Sequence, residues 1–168
     1  DRLCAKYGIK SLKLQPPPKI MEQFKNGRRL RLKTWRGNYL RMRSNGRHVT
    51  QGGAGREEIL TVKRLPQFGP NVIALYGVFK RYLRGRNNRR TIDQSGTRPN
   101  YNSYPNGWTW ERWWVEDVGG GKIALRSYHN TYLRAHNNGW MDMNGHVIRK
   151  GQKMPSGWRW EKFTPAWM

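Results

Sequence analysis

The stretch that decides the fold is IALYGVFKRYLRGRNN at residues 73–88, because it returns fifty residues later as IALRSYHNTYLRAHNN at residues 123–138. Across the two copies, residues 71–118 and 121–168, 13 of 48 aligned positions are identical without a gap. Chance alone would produce only a few identities. Self-similarity at a fixed period indicates a chain built from repeated structural units.

A third and more divergent copy begins near residue 28. In every copy, a leucine that ends one apolar stretch lies eight residues before a leucine that follows a tyrosine. These leucine pairs are Leu32 and Leu40, Leu75 and Leu83, and Leu125 and Leu133. The shared interval predicts three lobes, which we place at residues 28–64, 71–118 and 121–168.

Each lobe has the pattern of β-strands. Leu30 and Leu32 alternate with polar residues, as in a strand with one buried face, and turn-forming residues follow at 35–38. About four strands are expected per lobe, and no long helical pattern interrupts them. The chain is therefore predicted to be all-β, with a domain over 28–168. Residues 1–27 are predicted to form an N-terminal extension, an extended arm around Pro16-Pro17-Pro18 with one helical turn over 19–25.

Residues 74–83 and 124–133 share one motif, in which Ala-Leu is followed by a Tyr-Leu pair whose leucine lies eight residues after the first leucine. This motif resembles the fascin-like β-trefoil family. The Trp-Glu-x-aromatic ending at residues 110–113 and 160–163 is similar to that family as well. The resemblance covers about 28–165. It implies a pseudo-threefold barrel capped by hairpins, with the repeated tyrosines in the core, and actin binding at the level of the family. The Gln-x-Trp pattern of ricin-like lectins is absent, which disfavours that activity.

Charge points to an acidic partner. The chain has 33 Lys and Arg against 10 Asp and Glu, a formal net charge of +23. Such a surface attracts polyanions and repels itself. Nucleic acid, namely DNA bound without sequence specificity, is the first expectation. The alternatives are an acidic glycan of the heparan type, bound by a secreted cytotoxin, and actin.

The first predicted binding face lies in the first lobe, where no acidic residue occurs between Gln23 and Arg56. If Leu30 and Leu32 point inward, the intervening cations point outward together. The residues assigned to this face are Arg28, Arg29, Arg31, Lys33, Arg36, Arg41, Arg43 and Arg47.

A second predicted binding cluster follows in the second lobe. Arginine suits bidentate contacts to phosphate or sulfate better than lysine does. The residues assigned to this cluster are Lys80, Arg81, Arg84, Arg86, Arg89 and Arg90.

Catalysis is the weaker expectation, and neither a cofactor nor a metal site is predicted. A metal-dependent nuclease built on His136, Asp142 and His146 is the one enzymatic alternative. Glu111 and Glu161 recur in register, which favours a structural role such as pairing with the Arg112 or Lys162 beside each. A start at Asp1 favours a secreted, processed protein, whereas the single cysteine favours a nuclear or cytoplasmic one.

Overall fold

The structure is a computed structural model that describes residues 19–168, and this part of the chain holds twelve β-strands in three groups of four. The first lobe contains β1 (Arg29–Lys33), β2 (Tyr39–Met42), β3 (Val49–Gly52) and β4 (Leu60–Arg64). The second contains β5 (Val72–Gly77), β6 (Leu83–Gly85), β7 (Ile92–Gln94) and β8 (Trp113–Gly119). The third contains β9 (Lys122–Ser127), β10 (Tyr132–Ala135), β11 (Met141–Asn144) and β12 (Thr164–Trp167). The predicted arm and Cys4 lie outside the described residues.

The first and fourth strands of each lobe form a closed six-stranded barrel. Around the barrel the order is β1, β4, β5, β8, β9 and β12, all antiparallel, and β12 returns to pair with β1. Ile123 and Phe163 close the remaining seam with two backbone hydrogen bonds of 2.8 and 2.9 Å. The closure leaves no free edge among these six strands.

The second and third strands of each lobe pair into hairpins that cap one end of the barrel. The hairpins touch one another in cyclic order. Thr50 bridges to Trp140 and Thr91 bridges to Asp142, while the Gln94 side-chain amide donates to main-chain carbonyls of the first hairpin. Three hairpins on a six-stranded barrel make a β-trefoil, so the predicted fold class is confirmed.

The repeated leucines fill the barrel core as the alternation predicts, with Leu30, Leu32 and Leu83 fully buried. The repeated tyrosines do not join them. Because neighbouring residues of a strand point to opposite faces, the tyrosine before each inward leucine points away from the barrel axis. Tyr82 and Tyr132 are buried in two separate clusters under the long loops.

The barrel end opposite the hairpins is closed by residues that precede the first strand. A short 3-10 turn at Lys19–Glu22 supports Met21, and both Met21 and Phe24 are buried in the core. Phe24 meets Trp167 edge to face at 4.7 Å, and Arg64 donates to the carbonyls of both core residues. The turn agrees with the helical turn expected at 19–25. Among the described residues, no helix has the length and apolarity to cross a bilayer.

Candidate functional site

Each hairpin carries an arginine directly after the repeated leucine, and in two lobes it faces an aspartate across the hairpin. Arg84 is opposite Asp93, with Nε and Nη2 donating over 2.8 and 2.9 Å. Arg134 is opposite Asp142, with two bonds of 2.9 Å. The bidentate geometry fixes both planar groups, and its hydrogen bonds raise the pKa of each arginine.

The first lobe reaches the same pairing by another route. Arg41 is opposite Thr50, which offers no charge. Glu57, from the loop before β4, accepts from Arg41 Nε at 2.6 Å instead. Three equivalent arginines therefore each have a carboxylate, although its position along the chain differs in the first lobe.

A buried glutamate lies near each of these pairs. Glu58, Glu111 and Glu161 are each less than 5% exposed. Burial raises the pKa of Glu111 to about 7, against the opposing charge of nearby Arg84. Glu161 accepts a 2.9 Å hydrogen bond from the Asn144 amide. The predicted pairing with neighbouring cations does not occur, because Arg112 and Lys162 donate to main-chain carbonyls.

An indole precedes the buried glutamate in the second and third lobes. The guanidinium groups of Arg84 and Arg86 lie 5.4 and 5.5 Å from the Trp110 ring centre, and that of Arg134 lies 5.9 Å from Trp160. The first lobe has Glu57 where the others have tryptophan. Two of the three lobes thus place an indole, a charged pair and a buried carboxylate together.

Some of these side chains line two clefts open to solvent. The second-lobe cleft, about 340 Å³, is lined by Arg84, Trp108, Trp110 and Glu111. The third-lobe cleft, about 440 Å³, is lined by Arg90, Arg134, Asp142 and His146. Both volumes fall in the range of small-ligand sites, about 300–1,000 Å³. Arg90 comes from the second lobe, so the third-lobe cleft is built by two lobes.

The predicted face of the first lobe is divided between two structural layers. Its barrel part consists of outward side chains on β1, with Arg31 held by the Gly55 carbonyl at 2.9 and 3.1 Å. Its hairpin part begins at Arg41, already paired with Glu57. Arg28 lies 4.4 Å from the Trp167 ring centre, and Arg36 contacts Gln51. The exposed remainder is Arg29, Lys33, Arg43 and Arg47.

The second predicted cluster is also divided. Arg81 donates to the Ser95 carbonyl at 2.6 Å and packs against Gly46, so it joins two lobes. Arg84 belongs to the second-lobe cleft, and Lys80 lies on the turn between β5 and β6. The remaining three, Arg86, Arg89 and Arg90, lie together on the turn of the β6–β7 hairpin, residues 86–91, which we call the second-lobe tip.

The nuclease alternative receives no support from the histidines. His136 packs on Trp160 and His146 on Trp158, while the Asp142 carboxylate is occupied by Arg134. Across residues 19–168, no three His, Cys, Asp or Glu side chains come together in a way that suits a metal ion.

Sequence reasoning missed the clefts. It treated Glu111 and Glu161 as structural, left Asp93 without a role and considered Asp142 for catalysis alone. A signal was present, because Arg84 and Arg134 precede these aspartates by nine and eight residues in the two most similar lobes.

The family comparison matches residues 21–149 to a β-trefoil domain of unknown function, DUF569. No curated protein matches the sequence significantly. The resemblance to fascin-like proteins is therefore confirmed for the trefoil fold alone.

Two solved structures share the fold at low identity. One is a GlcNAcα1-4Gal-releasing endo-β-galactosidase from Clostridium perfringens, with a TM-score of 0.64 and 11% identity over 84% of this chain. The present chain spans 32% of that enzyme's length. The other is SeviL bound to the asialo-GM1 saccharide, with a TM-score of 0.60, 15% identity, and coverage of 83% of this chain and 97% of SeviL. Neither these structures nor the matched family is described as DNA-binding, toxic or fascin-like.

Proposed function

The chain belongs to the β-trefoil domain family DUF569, and on that premise we propose that it binds acidic glycans through its second-lobe and third-lobe clefts. The observation that carries the proposal is the grouping of an indole, a bidentate arginine–aspartate pair and a buried carboxylate beside one open cleft. The third lobe repeats the pair beside its own cleft, which Arg134 and Asp142 line, with Trp160 next to Arg134.

The chemistry of a sugar fits such a cleft. Each hydroxyl both donates and accepts hydrogen bonds, so a sugar site needs carboxylate acceptors and guanidinium donors side by side. A tryptophan supplies a broad apolar surface with little conformational freedom to lose. Asp93 and Arg84 satisfy each other in the free protein and still have unused oxygen lone pairs and N–H groups for a ligand.

The two structures with the same fold support the choice of ligand class. SeviL was solved with a saccharide bound, and the other neighbour is an endo-β-galactosidase. The formal charge of +23 favours an acidic sugar chain over a neutral one, because long-range attraction accelerates and strengthens the encounter.

Glycan binding accounts for the aspartates better than DNA binding does. A surface that only attracts phosphates gains from every acid removed, since affinity depends on the number of cations that face the backbone. Arg41, Arg84 and Arg134 are each committed to a carboxylate of this chain, which lowers their value as phosphate contacts.

The test uses the opposite effects that removal of these aspartates should have on glycan binding and on DNA binding. Binding of a sulfated oligosaccharide and of duplex DNA is measured by calorimetry over a salt series for wild type and for the Asp93→Asn/Asp142→Asn double variant. Asp117→Asn, at an exposed acid whose side chain caps the Gly119 amide, is the charge-matched control for one position. We expect the double variant to lose about tenfold or more in glycan affinity, as expected when charged hydrogen bonds are lost, while its DNA affinity is unchanged or higher.

The opposite outcome would remove the proposal. If the double variant binds the oligosaccharide more tightly, in proportion to the rise seen for Asp117→Asn, then the clefts do not recognise sugar and only charge attracts the ligand. Thermal unfolding of each variant shows whether the fold is retained.

A further inference from the structure

The three hairpin turns share one backbone geometry but differ in one residue type. The residue that follows the turn asparagine has a positive φ in every lobe, with values of 74° at Gly46, 63° at Arg89 and 91° at Gly139. Only glycine adopts this left-handed region without steric cost. The second lobe alone places a bulky side chain there.

The arginine is not required by the turn itself. The side-chain oxygens of Asn45, Asn88 and Asn138 accept backbone N–H groups in all three turns, so the turn forms with glycine as well as with arginine. When a residue keeps an unfavourable backbone angle that the local structure does not need, its side chain is a candidate for a functional role.

The surroundings of Arg89 concentrate free cationic groups. Arg86 shares Asp93 through one bond of 3.2 Å and is 44% exposed. Within the described residues, the guanidinium groups of Arg89 and Arg90 make no hydrogen bond or ion pair, and both are exposed. Asp93 on β7, the carboxylate that Arg86 contacts, is already held bidentately by Arg84.

The tip also lies between the two clefts. Arg86 reaches over Trp110 of the second-lobe cleft, and Arg90 lines the third-lobe cleft. Arg89 lies near His129, and the pKa of His129 is lowered first by burial and then by the Arg89 charge. The His129 ring centre is in turn 6.3 Å from that of Trp110. An anionic group held at the tip would therefore adjoin a sugar in either cleft.

We propose that the second-lobe tip, through Arg86, Arg89 and Arg90, binds a sulfate ester, and that it makes the clefts selective for sulfated glycans. The selectivity of the clefts for sulfated glycans rests on the proposed function, whereas sulfate binding at the tip does not. Tetrahedral oxyanions suit paired guanidinium groups, which donate two parallel hydrogen bonds and remain charged at every physiological pH.

The glycan arm of the test uses a heparin-derived hexasaccharide, its fully desulfated counterpart and duplex DNA. Arg89→Gly keeps the left-handed backbone angle, so folding is not at risk. Lys80→Gly is the matched control, because Lys80 has φ of 65° where the first lobe has Gly37, and it carries the same single charge away from the tip. We expect Arg89→Gly to weaken the sulfated hexasaccharide about tenfold, Lys80→Gly less than about threefold, and neither to change the desulfated one.

The second arm titrates inorganic sulfate into the full chain and follows the arginine Nε–H signals by NMR. Saturable shifts at the tip that disappear in Arg89→Gly support the site, and their absence overturns it whether or not glycans bind. The selectivity for sulfated glycans is overturned if Arg89→Gly and Lys80→Gly lose the same affinity for the sulfated hexasaccharide, or if wild type binds both hexasaccharides equally. It is also overturned if Arg89→Gly loses more affinity for DNA than for the sulfated hexasaccharide, which would assign the tip to nucleic acid. Sulfate binding at the tip with no binding of either hexasaccharide refutes the proposed function and leaves the oxyanion site standing.

Discussion

The indole rings of Trp35 and Trp160 stack in parallel across the boundary between the first and third lobes, with centres 5.4 Å apart and planes 3° apart. Trp35 also donates from Nε1 to the Ala135 carbonyl at 2.7 Å, and the Arg159 guanidinium lies 4.7 Å from its ring centre. One side chain thus joins the third-lobe hairpin, the third-lobe loop and the first lobe.

Trp35→Ala is expected to lower the free energy of unfolding by about 3 kcal/mol, since a packed aromatic and one hydrogen bond are lost together. Trp35→Phe keeps a ring in place and should recover more than half of that loss. Urea denaturation measures both. Trp140→Ala, at an indole 46% exposed, serves as the control and should cost less than about 1 kcal/mol. Equal effects at the two positions would contradict the joining role of Trp35.

Glu111 should make stability depend on pH between about 5 and 8. Its pKa is raised to about 7, above the unfolded value, so the folded chain holds more protons than the unfolded chain in this range. Stability contributed by the protonated form is therefore lost as the pH rises. Glu111→Gln removes the titrating group. The free energy of unfolding of this variant should therefore rise relative to that of wild type by up to about 3 kcal/mol as the pH goes from 5 to 8. Unfolding free energies that stay parallel for the two proteins across this range would show that Glu111 ionises freely.

Gln94 ties the second lobe to the first hairpin. Its buried amide donates to the carbonyls of Arg43 and His48 at 2.8 and 3.0 Å, on either side of the first turn. Met143 holds the equivalent position in the third lobe, opposite Leu133 as Gln94 is opposite Leu83. Gln94→Met should therefore be accommodated sterically and cost about 1–2 kcal/mol through the lost hydrogen bonds. Faster amide hydrogen exchange confined to residues 43–48 is the expected signature, whereas uniform acceleration over all three hairpins would argue for general destabilisation.

Relief of the left-handed backbone angles should stabilise the fold. Lys80 has φ of 65° where the first lobe has Gly37 and the third has Asn130, and Arg89 has φ of 63° where the other two lobes have Gly46 and Gly139. Lys80→Gly and Arg89→Gly should each raise the free energy of unfolding by up to about 1 kcal/mol, although each removes a side chain. Gly139→Ala, at a φ of 91°, is the reverse change and should destabilise by a similar amount. Urea denaturation of the three variants checks the sign, and destabilisation by both glycine substitutions would show that these side chains support the turns.

The strands were predictable because their signal is local. Alternation of buried and exposed side chains along residues 29–33 follows from the geometry of one strand, and the eight-residue interval between leucines repeats in all three lobes. Tyr82 and Tyr132 are buried as expected but lie outside the barrel core, since a residue beside an inward leucine must point to the other face.

The aspartates of the clefts were not predictable from aligned positions. A constant offset of fifty pairs Asp93 with Met143, but the third hairpin turn is one residue shorter and brings Asp142 opposite Arg134. The register of a hairpin depends on the length of its turn, so a single deletion moves every later partner. In the first lobe the carboxylate comes from Glu57, sixteen residues from Arg41, and the spacing of residues in the sequence does not predict that contact.

The pairing of β1 with β12 brings the entry and the exit of the barrel together. Leu30 lies opposite Trp167, and the Met168 amide donates to the Arg29 carbonyl at 3.0 Å, so the polypeptide enters and leaves the barrel at one place. A module with adjoining entry and exit can be spliced into a surface loop of a host protein without spreading the host's flanking residues.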